Sequence, residues 1–506
     1  MKRFLIVDGN SLIHRGFHAI PHLSTKSGEP TNGVYGFAML FLKALKDLKP
    51  TYVAVAFDLP GPTFRDKLYE PYKAHRVAAP AELYAQIPRV KELVRAFNLP
   101  IYEQEGYEAD DLIGTLAEHA KKEKDLETVI LTGDLDALQL IDKKVKVYAP
   151  KQGFTETKLY DEEAVAERYG LSPSQMLDYK ALRGDPSDNI PGVAGIGEKT
   201  ATELLKKYGN LEKVYENLGG ITPRISKLLS EHRSDAEISK KLAQIVRDLK
   251  IEFDLDKSRL GSYDEAKIVK LFQELQFKSL LDKLPSLRPS SPLMGEESKE
   301  RVKKVTGKRY ELIDSSKKYK DFISQLNEQS EITIDTETTS QHPIEARLLG
   351  IGIGWKEGEA HYVPTPTFLP LAKGEMKRGS ELIDILQNPQ IKKTGHNIKY
   401  DYLVLKKAGI NLARMAFDTM IAAYLLSPGA RNFDLDTLSF NEFGFRKTPI
   451  TALIGPSPFV KGEGGRKEIN MSQVPVPKVS DYCCEDVDYT LKLKSKLTKE
   501  LKNKHL

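Results

Sequence analysis

Short apolar runs that end in aspartate alternate with amphipathic stretches in the first part of the chain. The runs FLIVDG (4–9), YVAVAFD (52–58) and TVILTGD (128–134) are rich in β-branched residues, which is typical of buried strands. Between them, residues 36–48 and 111–122 keep the i, i+3, i+4 apolar spacing of helices that face a core. Alternating strands and helices predict a parallel α/β sheet, which binds ligands at the carboxyl ends of its strands. We therefore expect the strand-ending aspartates to meet at one edge of that sheet.

The apolar pattern changes twice further along the chain. From about residue 172 the strand signal fades and helical patterns follow, and a stretch rich in Pro, Ser and Gly then predicts a flexible linker. ITIDTET (332–338), LLGIGIGW (348–355) and AHYVPT (360–365) predict consecutive strands of a second α/β unit. The predicted domains are a core over 1–171, a helical domain over 172–283, the linker over 284–303, and a second α/β domain over 304–506 with an inserted loop at about 455–467.

Composition places the chain among multidomain globular proteins. Its 506 residues correspond to roughly three domains at about 150 residues each, and 40% hydrophobic with 29% charged residues exclude a mainly disordered chain. No run of about 18 apolar residues predicts a transmembrane helix, and Asp8 interrupts the first apolar run too early for a signal peptide. The expected location is therefore the cytoplasm. The net charge of +5 permits binding to nucleic acid.

The only two cysteines are adjacent, at Cys483 and Cys484, so a disulfide scaffold is excluded. We expect both to be small, semi-buried helix residues that take no part in the chemistry.

Acidic residues cluster where the pattern ends strands or opens helices. Any one of them is as easily a helix cap or a turn residue. Together they would repel one another unless hard divalent cations neutralise them, and two Mg²⁺ ions held in this way can activate water for phosphodiester hydrolysis. The nine candidates are Asp8, Asp58, Glu108, Asp110, Asp111, Asp134, Asp136, Asp185 and Asp188.

The motifs DGN, AFD, GYEADD, LTGDLDALQL and GDPSDNIPGVAGIGEKTA resemble, in this order, the 5′-nuclease domain of the bacterial DNA polymerase I family, a relative of the flap endonucleases. The resemblance covers roughly residues 1–285 and implies a PIN-like parallel sheet with a helical DNA clamp. It also implies that all nine carboxylates hold two catalytic metal ions. By resemblance, one ion is bound by Asp8, Asp58 and the 108–111 cluster, and the other by Asp134, Asp136, Asp185 and Asp188.

A basic segment with aromatic residues, FRDKLYEPYKAHR (64–76), contains Arg65, Tyr72, Lys73 and Arg76. Such a mixture can pair with phosphates and stack on unpaired bases, although composition alone equally favours a solvated helix face. The resemblance places this segment in a helical arch over the site, with Lys73 and Arg76 on the scissile phosphate. It also places Arg15 near the active site.

A glycine-rich turn, PGVAGIGEKTA (191–201), precedes a predicted helix. The backbone N–H groups of Gly192, Gly195 and Gly197 could bind a phosphate there, although such turns are common. The turn resembles the helix–turn–helix clamp on duplex DNA in this family, in which Lys199 also falls. The resemblance allows a monovalent cation such as K⁺ at this clamp.

A second set of carboxylates lies in the last third of the chain. Asp335 and Glu337 alternate on a strand and therefore share a face, while Tyr482 and Asp486 share a helix face. With Asp401 they would suit two metal ions and a water nucleophile, although an ordinary strand end and a polar helix are an even alternative on spacing alone. The motifs are IDTET (334–338), HNIKYD (396–401) and YCCED (482–486).

These motifs resemble the 3′–5′ proofreading exonuclease domain of the same family, an RNase H-like fold, over about 304–506. By resemblance, Asp335, Glu337, Asp401 and Asp486 bind metal and Tyr482 orients the attacking water. The stretch 455–467 departs from the family by its length and could hinder entry of the substrate.

The sequence thus predicts a metal-dependent nuclease with two active sites that act on DNA ends in replication and repair. Magnesium or manganese, two ions per site, suits the all-oxygen ligands, and the substrates are flapped or nicked duplex DNA and RNA primers. No polymerase motifs follow, so we expect no polymerisation by this chain, with a separately encoded polymerase as a candidate partner. The alternatives are a non-catalytic junction-binding scaffold and a 5′ nuclease whose 3′ domain is structural.

Overall fold

The computed structural model describes residues 2–76, 79–151, 156–261, 263–285, 309–368, 380–430, 432–455 and 470–506. It consists of two compact units, Met1–Arg288 (unit 1) and Pro289–Leu506 (unit 2). Most of the predicted linker and of the predicted inserted loop lies outside the described residues. Among the described residues, each helix is too short or too polar to cross a membrane.

Unit 1 is built on a six-stranded sheet in the order β3-β2-β1-β4-β5-β6. Only the last pair, β5 with β6, is antiparallel, so the predicted parallel α/β sheet is confirmed. The strands are β1 Lys2–Asp8, β2 Tyr52–Ala56, β3 Ile101–Tyr102, β4 Leu126–Leu131, β5 Val145–Pro150 and β6 Thr157–Tyr160.

The three predicted strands of unit 1 are neighbours in this sheet. Because β2, β1 and β4 are adjacent and parallel, their carboxyl ends lie at one edge. Asp8 is the last residue of β1, while Asp58 and Asp134 follow β2 and β4 within three residues. The expectation that these aspartates share one edge is confirmed.

Helices follow most strands of unit 1 and continue after the sheet. Asp8 also caps the first helix, because its side chain accepts the N–H of Ser11. The helices are Gly9–Ala19, Asn32–Leu48, Phe64–Leu68, Ala81–Tyr84, Ile87–Ala96, Ala109–Ala120, Glu162–Tyr169, Met176–Arg183, Glu198–Tyr208, Leu211–Glu216, Pro223–Glu231, Arg233–Ala243, Glu265–Glu274 and Lys278–Leu281.

The stretch after the Arg233–Ala243 helix returns to the sheet. Residue Arg259 forms an antiparallel bridge with Tyr52 of β2, and the N–H of Val246 donates to Asp111. The buried core of unit 1 likewise joins residues of the sheet to residues of the helices after 172. The division at 171/172 therefore stays a prediction.

Unit 2 contains a mixed six-stranded sheet in the order β12-β11-β8-β9-β10-β7. The three predicted strands form the antiparallel meander β8-β9-β10, whereas β7, β11 and β12 pair in parallel with their neighbours. The strands are β7 Arg309–Leu312, β8 Glu331–Thr338, β9 Leu348–Lys356, β10 Glu359–Pro364, β11 Lys392–Gly395 and β12 Met415–Asp418.

One long helix, Val476–Asn503, packs against the meander and carries the predicted Tyr482 and Asp486. The glycines that alternate along β9 allow this close approach, because a Cβ atom on Gly352 would lie 2.6 Å from Sγ of Cys483. The other helices of unit 2 are Ser316–Asn327, Thr365–Phe368, Ser380–Gln387, Ile398–Lys407, Thr419–Leu426, Leu435–Phe443 and Thr451–Ile454.

Candidate active sites

Asp8 is the most buried member of a carboxylate cluster at the strand edge of unit 1. Its Oδ1 accepts the N–H of Ser11 at 2.9 Å and its Oδ2 accepts the hydroxyl of Thr132 at 2.7 Å. Burial, followed by the charges of Asp58 and Asp134, raises the pKa of Asp8 to about 7. A negative charge at Asp8 is therefore unfavourable unless a cation lies nearby.

Asp110 and Asp136 belong to the same cluster. Burial, and then the carboxylates of Asp134 and Asp8, raise the pKa of Asp110 well above its ordinary value. Burial also raises the pKa of Asp136 to about 6. Asp134 caps the short 3₁₀ helix that contains Asp136, since its Oδ1 accepts the N–H of Asp136 at 2.9 Å. The mutual repulsion of these carboxylates shows that residues far apart in the sequence lie close together in this cluster.

Asp58 is held at the rim of this cluster. Its Oδ1 accepts the N–H of Ala109 at 2.7 Å, which ties the end of β2 to the first turn of the Ala109–Ala120 helix. Unlike Asp8, it is exposed. Asp58 thus keeps one carboxylate oxygen for a ligand that approaches from solvent.

Lys180 was not predicted, yet it lies among the predicted ligands. It forms ion pairs with Asp136 and with Asp185, the latter at 2.7 Å. Although burial opposes ionisation, the Lys180 ammonium lowers the pKa of Asp185 to about 2. The sequence signal was a lysine one turn before the aspartates of GDPSD.

The segment 69–76 lies over a second group of predicted ligands. Nζ of Lys73 is 2.6 Å from Oε1 of Glu108, and Arg76 forms an ion pair with Asp188. The hydroxyl of Tyr72 donates to Oε2 of Glu108 at 3.3 Å. The predicted helical arch over 64–76 is helical only at Phe64–Leu68. The residues that follow, 69–76, form turns.

Two predicted roles are corrected by a buried ion pair. The guanidinium of Arg65 donates to both oxygens of Asp111, at 2.7 and 2.8 Å, and to the carbonyl of Leu242. Arg65 is 2% exposed and Asp111 is fully buried. The predicted DNA contact of Arg65 requires an exposed guanidinium, and Asp111 has both oxygens occupied, so the pair holds the fold together.

We expect Arg65→Met to destabilise unit 1 by about 3–5 kcal/mol, because it leaves the carboxylate of Asp111 buried without its partner. Urea unfolding of the full chain, followed by far-UV circular dichroism, measures this loss. The single tryptophan, Trp355, reports unit 2 separately by fluorescence. Arg233→Met, which removes an exposed ion pair with Glu237, is the matched control and should cost less than about 1 kcal/mol. Unchanged stability with weakened DNA binding would restore the predicted role.

The glycine-rich turn divides into a structural and an exposed part. Gly192 has a positive φ of 63° and lies against the backbone of Gly184, and its N–H donates to Ser239. Its predicted phosphate contact is therefore replaced by a role in the fold. Gly195, Gly197 and Lys199 are exposed, next to the start of the Glu198–Tyr208 helix.

Arg15 lies on the first helix of unit 1. It donates to the backbone carbonyl of Lys151, and a Cβ atom on Gly133 would lie 3.9 Å from its Cδ. Arg15 is thus placed beside the turn that carries Asp134, as the resemblance implies.

The second cluster lies where β8 meets the long helix of unit 2. Burial raises the pKa of Asp335, and it raises the pKa values of Glu337 and Asp401 well above their ordinary values, with the neighbouring carboxylates adding to the effect for the latter two. Burial likewise raises the pKa of Asp486 to about 8. The structure therefore brings together all four predicted carboxylates of this site.

Lys447 is the residue of this site that the sequence did not reveal. Its side chain is 1% exposed and forms ion pairs with Asp486 and, at 3.2 Å, with Asp436. Its ammonium lies 5.2 Å from the ring centroid of Tyr482. The surrounding sequence, FRKTP, has no motif that distinguishes this lysine from a surface one.

Cys483 is also closer to the site than expected. It is fully buried, and its Sγ lies 3.5 Å from Oδ2 of Asp335. The description of Cys483 and Cys484 as semi-buried is wrong, because both are fully buried.

Both clusters fit divalent metal ions by the chemistry of their donors. Each predicted metal ligand offers carboxylate oxygen, which hard cations such as Mg²⁺ and Mn²⁺ prefer. Burial of several carboxylates without an equal number of cations is costly, and a bound divalent ion would remove that cost.

We expect the stability of unit 1 in EDTA to fall as the pH rises from about 4 to about 7. Folded Asp8 keeps its proton in this range while unfolded Asp8 has lost it, so the folded state binds more protons and loses stability with rising pH. The raised pKa of Asp8 corresponds to a loss of at most about 4 kcal/mol in the free energy of unfolding. Urea midpoints at pH 5 and pH 8 should differ less for Asp8→Asn than for the wild type. Equal differences would contradict the raised pKa.

Comparison with known proteins shows which domain families the chain matches. Residues 3–170 match the 5′–3′ exonuclease, N-terminal resolvase-like domain, residues 171–266 the 5′–3′ exonuclease, C-terminal SAM fold, and residues 310–502 the 3′–5′ exonuclease domain. The chain therefore consists of nuclease domains of two classes.

The curated relatives that match this chain are bacterial DNA polymerases. The chain is 40% identical to the DNA polymerase I of Chloroflexus aurantiacus, over 98% of this chain and 55% of that protein. It is 33% identical to the DNA polymerase I of Bacillus subtilis, over 99% and 53%. The T5 D15 protein, co-crystallised with metal ions, is 20% identical with a TM-score of 0.41 over 56% of this chain and 96% of that one. The chain is similar to bacterial DNA polymerase I proteins over nearly its whole length and spans about half the length of the curated relatives it matches.

Proposed function

We propose that unit 1 is a divalent-metal-dependent 5′ nuclease that cuts 5′ flaps, or RNA primers joined to DNA, beside a duplex junction. The observation that carries this proposal is the convergence of Asp8, Asp110, Asp134 and Asp136 at one sheet edge, with pKa values raised for three of them. The 5′–3′ exonuclease matches over 3–266 support the same activity.

The proposed ligands of the two ions are those implied by the resemblance to the 5′-nuclease domain, without Asp111. Magnesium or manganese would supply an activated water and neutralise charge on the scissile phosphate. One ion would be held by Asp8, Asp58, Glu108 and Asp110, and the other by Asp134, Asp136, Asp185 and Asp188.

The basic residues of unit 1 would bind the DNA backbone. The side chain of Arg76 is half exposed, so it can exchange Asp188 for a phosphate when DNA arrives. Lys73 can likewise exchange its partner Glu108 for a phosphate. Since these contacts replace counterions on DNA, affinity should fall steeply as salt is added. The exposed Gly195, Gly197 and Lys199 are the part of the turn that remains for duplex DNA, with K⁺ as its proposed ion.

Unit 2 is proposed to be a 3′–5′ exonuclease that removes nucleotides one at a time. Asp335, Glu337, Asp401 and Asp486 would hold its metal ions, and the phenol of Tyr482 would orient the attacking water. Lys447 balances part of the negative charge of this cluster through its ion pair with Asp486. Because the matched relatives are DNA polymerases, a polymerase domain, in the same longer chain or separately encoded, is the proposed partner.

One duplex tests both activities. It carries a 5′-labelled flap at one end and a mismatched 3′-labelled terminus at the other, and it is incubated with the full chain and Mg²⁺ or with EDTA. Release of both labels with Mg²⁺ and of neither with EDTA is the expected result. Binding without release of either label, in Mg²⁺ and in Mn²⁺, would instead support a junction-binding scaffold.

A further inference from the structure

A cleft of about 450 Å³ lies in unit 1, and the predicted metal ligands are not among the residues that line it. Sites for small molecules in proteins measure about 300–1,000 Å³, so the cleft has room for one nucleotide. Its lining includes an aromatic ring, two cations and one carboxylate. These belong to Phe64, Lys241, Arg247 and Asp248.

One wall of the cleft is backbone that the buried pair of Arg65 and Asp111 holds in place. The guanidinium of Arg65 donates to the carbonyl of Gln244 at 2.8 Å, and the N–H of Val246 donates to Asp111 at 2.9 Å. Both Gln244 and Val246 line the cleft. This wall is therefore formed before a ligand arrives, which lowers the entropy cost of binding.

The charges of the cleft match those of one phosphodiester. Lys241, Arg247 and Asp248 are exposed, and none of the three forms an ion pair within the described part of unit 1. The guanidinium of Arg247 is held by a neutral group, because it donates to the carbonyl of Gln139 at 2.8 Å. Two cations and one carboxylate leave a charge of +1, which balances the single negative charge of a phosphodiester. One carboxylate offers too few oxygen ligands for a divalent metal ion.

Phe64 offers a surface on which a base can stack. Its ring is half-buried, and the ring centroid lies 4.5 Å from Cζ of Arg65 and 5.7 Å from the ring centroid of Tyr107. Cations beside an aromatic ring are typical of surfaces that bind single-stranded nucleic acid. The carboxylate of Asp248 repels phosphate, but it can accept a hydrogen bond from the amino group of cytosine or adenine. The cleft therefore suits a nucleotide whose base is unpaired.

The cleft shares two segments with the carboxylate cluster of unit 1. Phe64 begins the segment that carries Lys73 and Arg76. Leu177, which also lines the cleft, lies one turn before Lys180 on the same helix. A single strand that leaves the carboxylate cluster can therefore reach the cleft.

We propose that this cleft binds one nucleotide of a single strand, with the phosphate between Lys241 and Arg247 and the base on Phe64. The strand is the 5′ flap of the substrate. This source of the nucleotide rests on the proposed function of unit 1, whereas nucleotide binding in the cleft does not. The affinity of unit 1 for a flapped duplex consequently depends on whether the flap is long enough to reach the cleft.

The test measures the affinity of the full chain for flapped duplexes in EDTA by fluorescence anisotropy. The two duplexes carry a 5′ flap of one deoxycytidine or of about ten. We expect the wild type to bind the long flap at least about tenfold more tightly than the short one. This gain should fall below about threefold in Lys241→Ala and Phe64→Leu, and it should remain in Phe64→Tyr, which keeps the aromatic ring.

Lys250→Ala is the matched control, because Lys250 is an exposed lysine of the same stretch of chain that does not line the cleft. It should keep the full gain. Far-UV circular dichroism checks that each variant is folded. Absence of the gain in the wild type, or an equal gain in Lys241→Ala and Phe64→Leu, would overturn the flap as the ligand.

Free deoxycytidine monophosphate is a second source of the same chemistry, and equilibrium dialysis in EDTA distinguishes it. Binding to the wild type and to Lys250→Ala, but not to Lys241→Ala, without any gain from the long flap would show a site for the free nucleotide and overturn the flap as its source. Absence of both effects would overturn the cleft as a nucleotide site. If 5′ release in Mg²⁺ is absent while the gain depends on Lys241, the proposed function fails and the nucleotide site stands.

Discussion

Replacing Asp110 with asparagine is expected to lower 5′ cleavage by at least about 10³-fold and to leave DNA binding intact. Its carboxylate faces those of Asp134 and Asp8 and has no hydrogen bond among the described residues. The substitution therefore removes one charge and one oxygen ligand without breaking a contact. A metal ligand contributes several kcal/mol to stabilising the transition state, and about 1.4 kcal/mol corresponds to tenfold in rate.

Single-turnover cleavage of a 5′-flap duplex in Mg²⁺ measures the rate, and fluorescence anisotropy in EDTA measures binding. Asp256→Asn is the matched control, because Asp256 is largely exposed in the short 3₁₀ turn Asp256–Ser258, and its rate should stay within about twofold of the wild type. Loss of one carboxylate from a repelling cluster should also stabilise unit 1 in EDTA. A cleavage rate within tenfold of the wild type for Asp110→Asn would show that the cluster is not catalytic.

The central strands of both units could be predicted from the sequence. Each predicted strand of unit 1 corresponds to β1, β2 or β4, and the three strands predicted in the second unit are β8, β9 and β10. These runs could be recognised because buried strands are continuous and rich in β-branched residues. The two-residue strand β3 is too short to show a recognisable pattern of apolar residues. The helix that carries Tyr482 and Asp486 begins at Val476, with Pro477 in its first turn.

The members of each site were predictable, but their partners were not. Carboxylates in dense motifs are visible as a pattern, whereas a single basic residue has no periodicity that tells a buried position from an exposed one. Arg65 and Asp111 are 46 positions apart, and Cys483 and Asp335 are 148 apart. Lys180 and Lys447 likewise acquire their roles only when separate segments pack together.

Replacing Asp335 with asparagine is expected to abolish 3′ digestion, again by at least about 10³-fold, while 5′ cleavage continues at the wild-type rate. Asp335 is half-buried near the centre of β8, where its charge acts on Glu337, Asp401 and Asp486. Asparagine keeps the shape and an acceptor oxygen for the thiol of Cys483, so the packing of the long helix should be preserved. The lost activity would then reflect metal binding rather than folding.

Release from a mismatched 3′ end, measured together with 5′ release from the same duplex, tests this variant beside Asp110→Asn. Asp384→Asn, an exposed position in the Ser380–Gln387 helix, is the matched control and should retain both activities. If each variant loses only its own activity, the two clusters are separate active sites, because a general loss of folding or of DNA binding would reduce both. If Asp335→Asn digests 3′ ends as the wild type does, unit 2 is a structural domain, and its buried carboxylates need another explanation than catalysis.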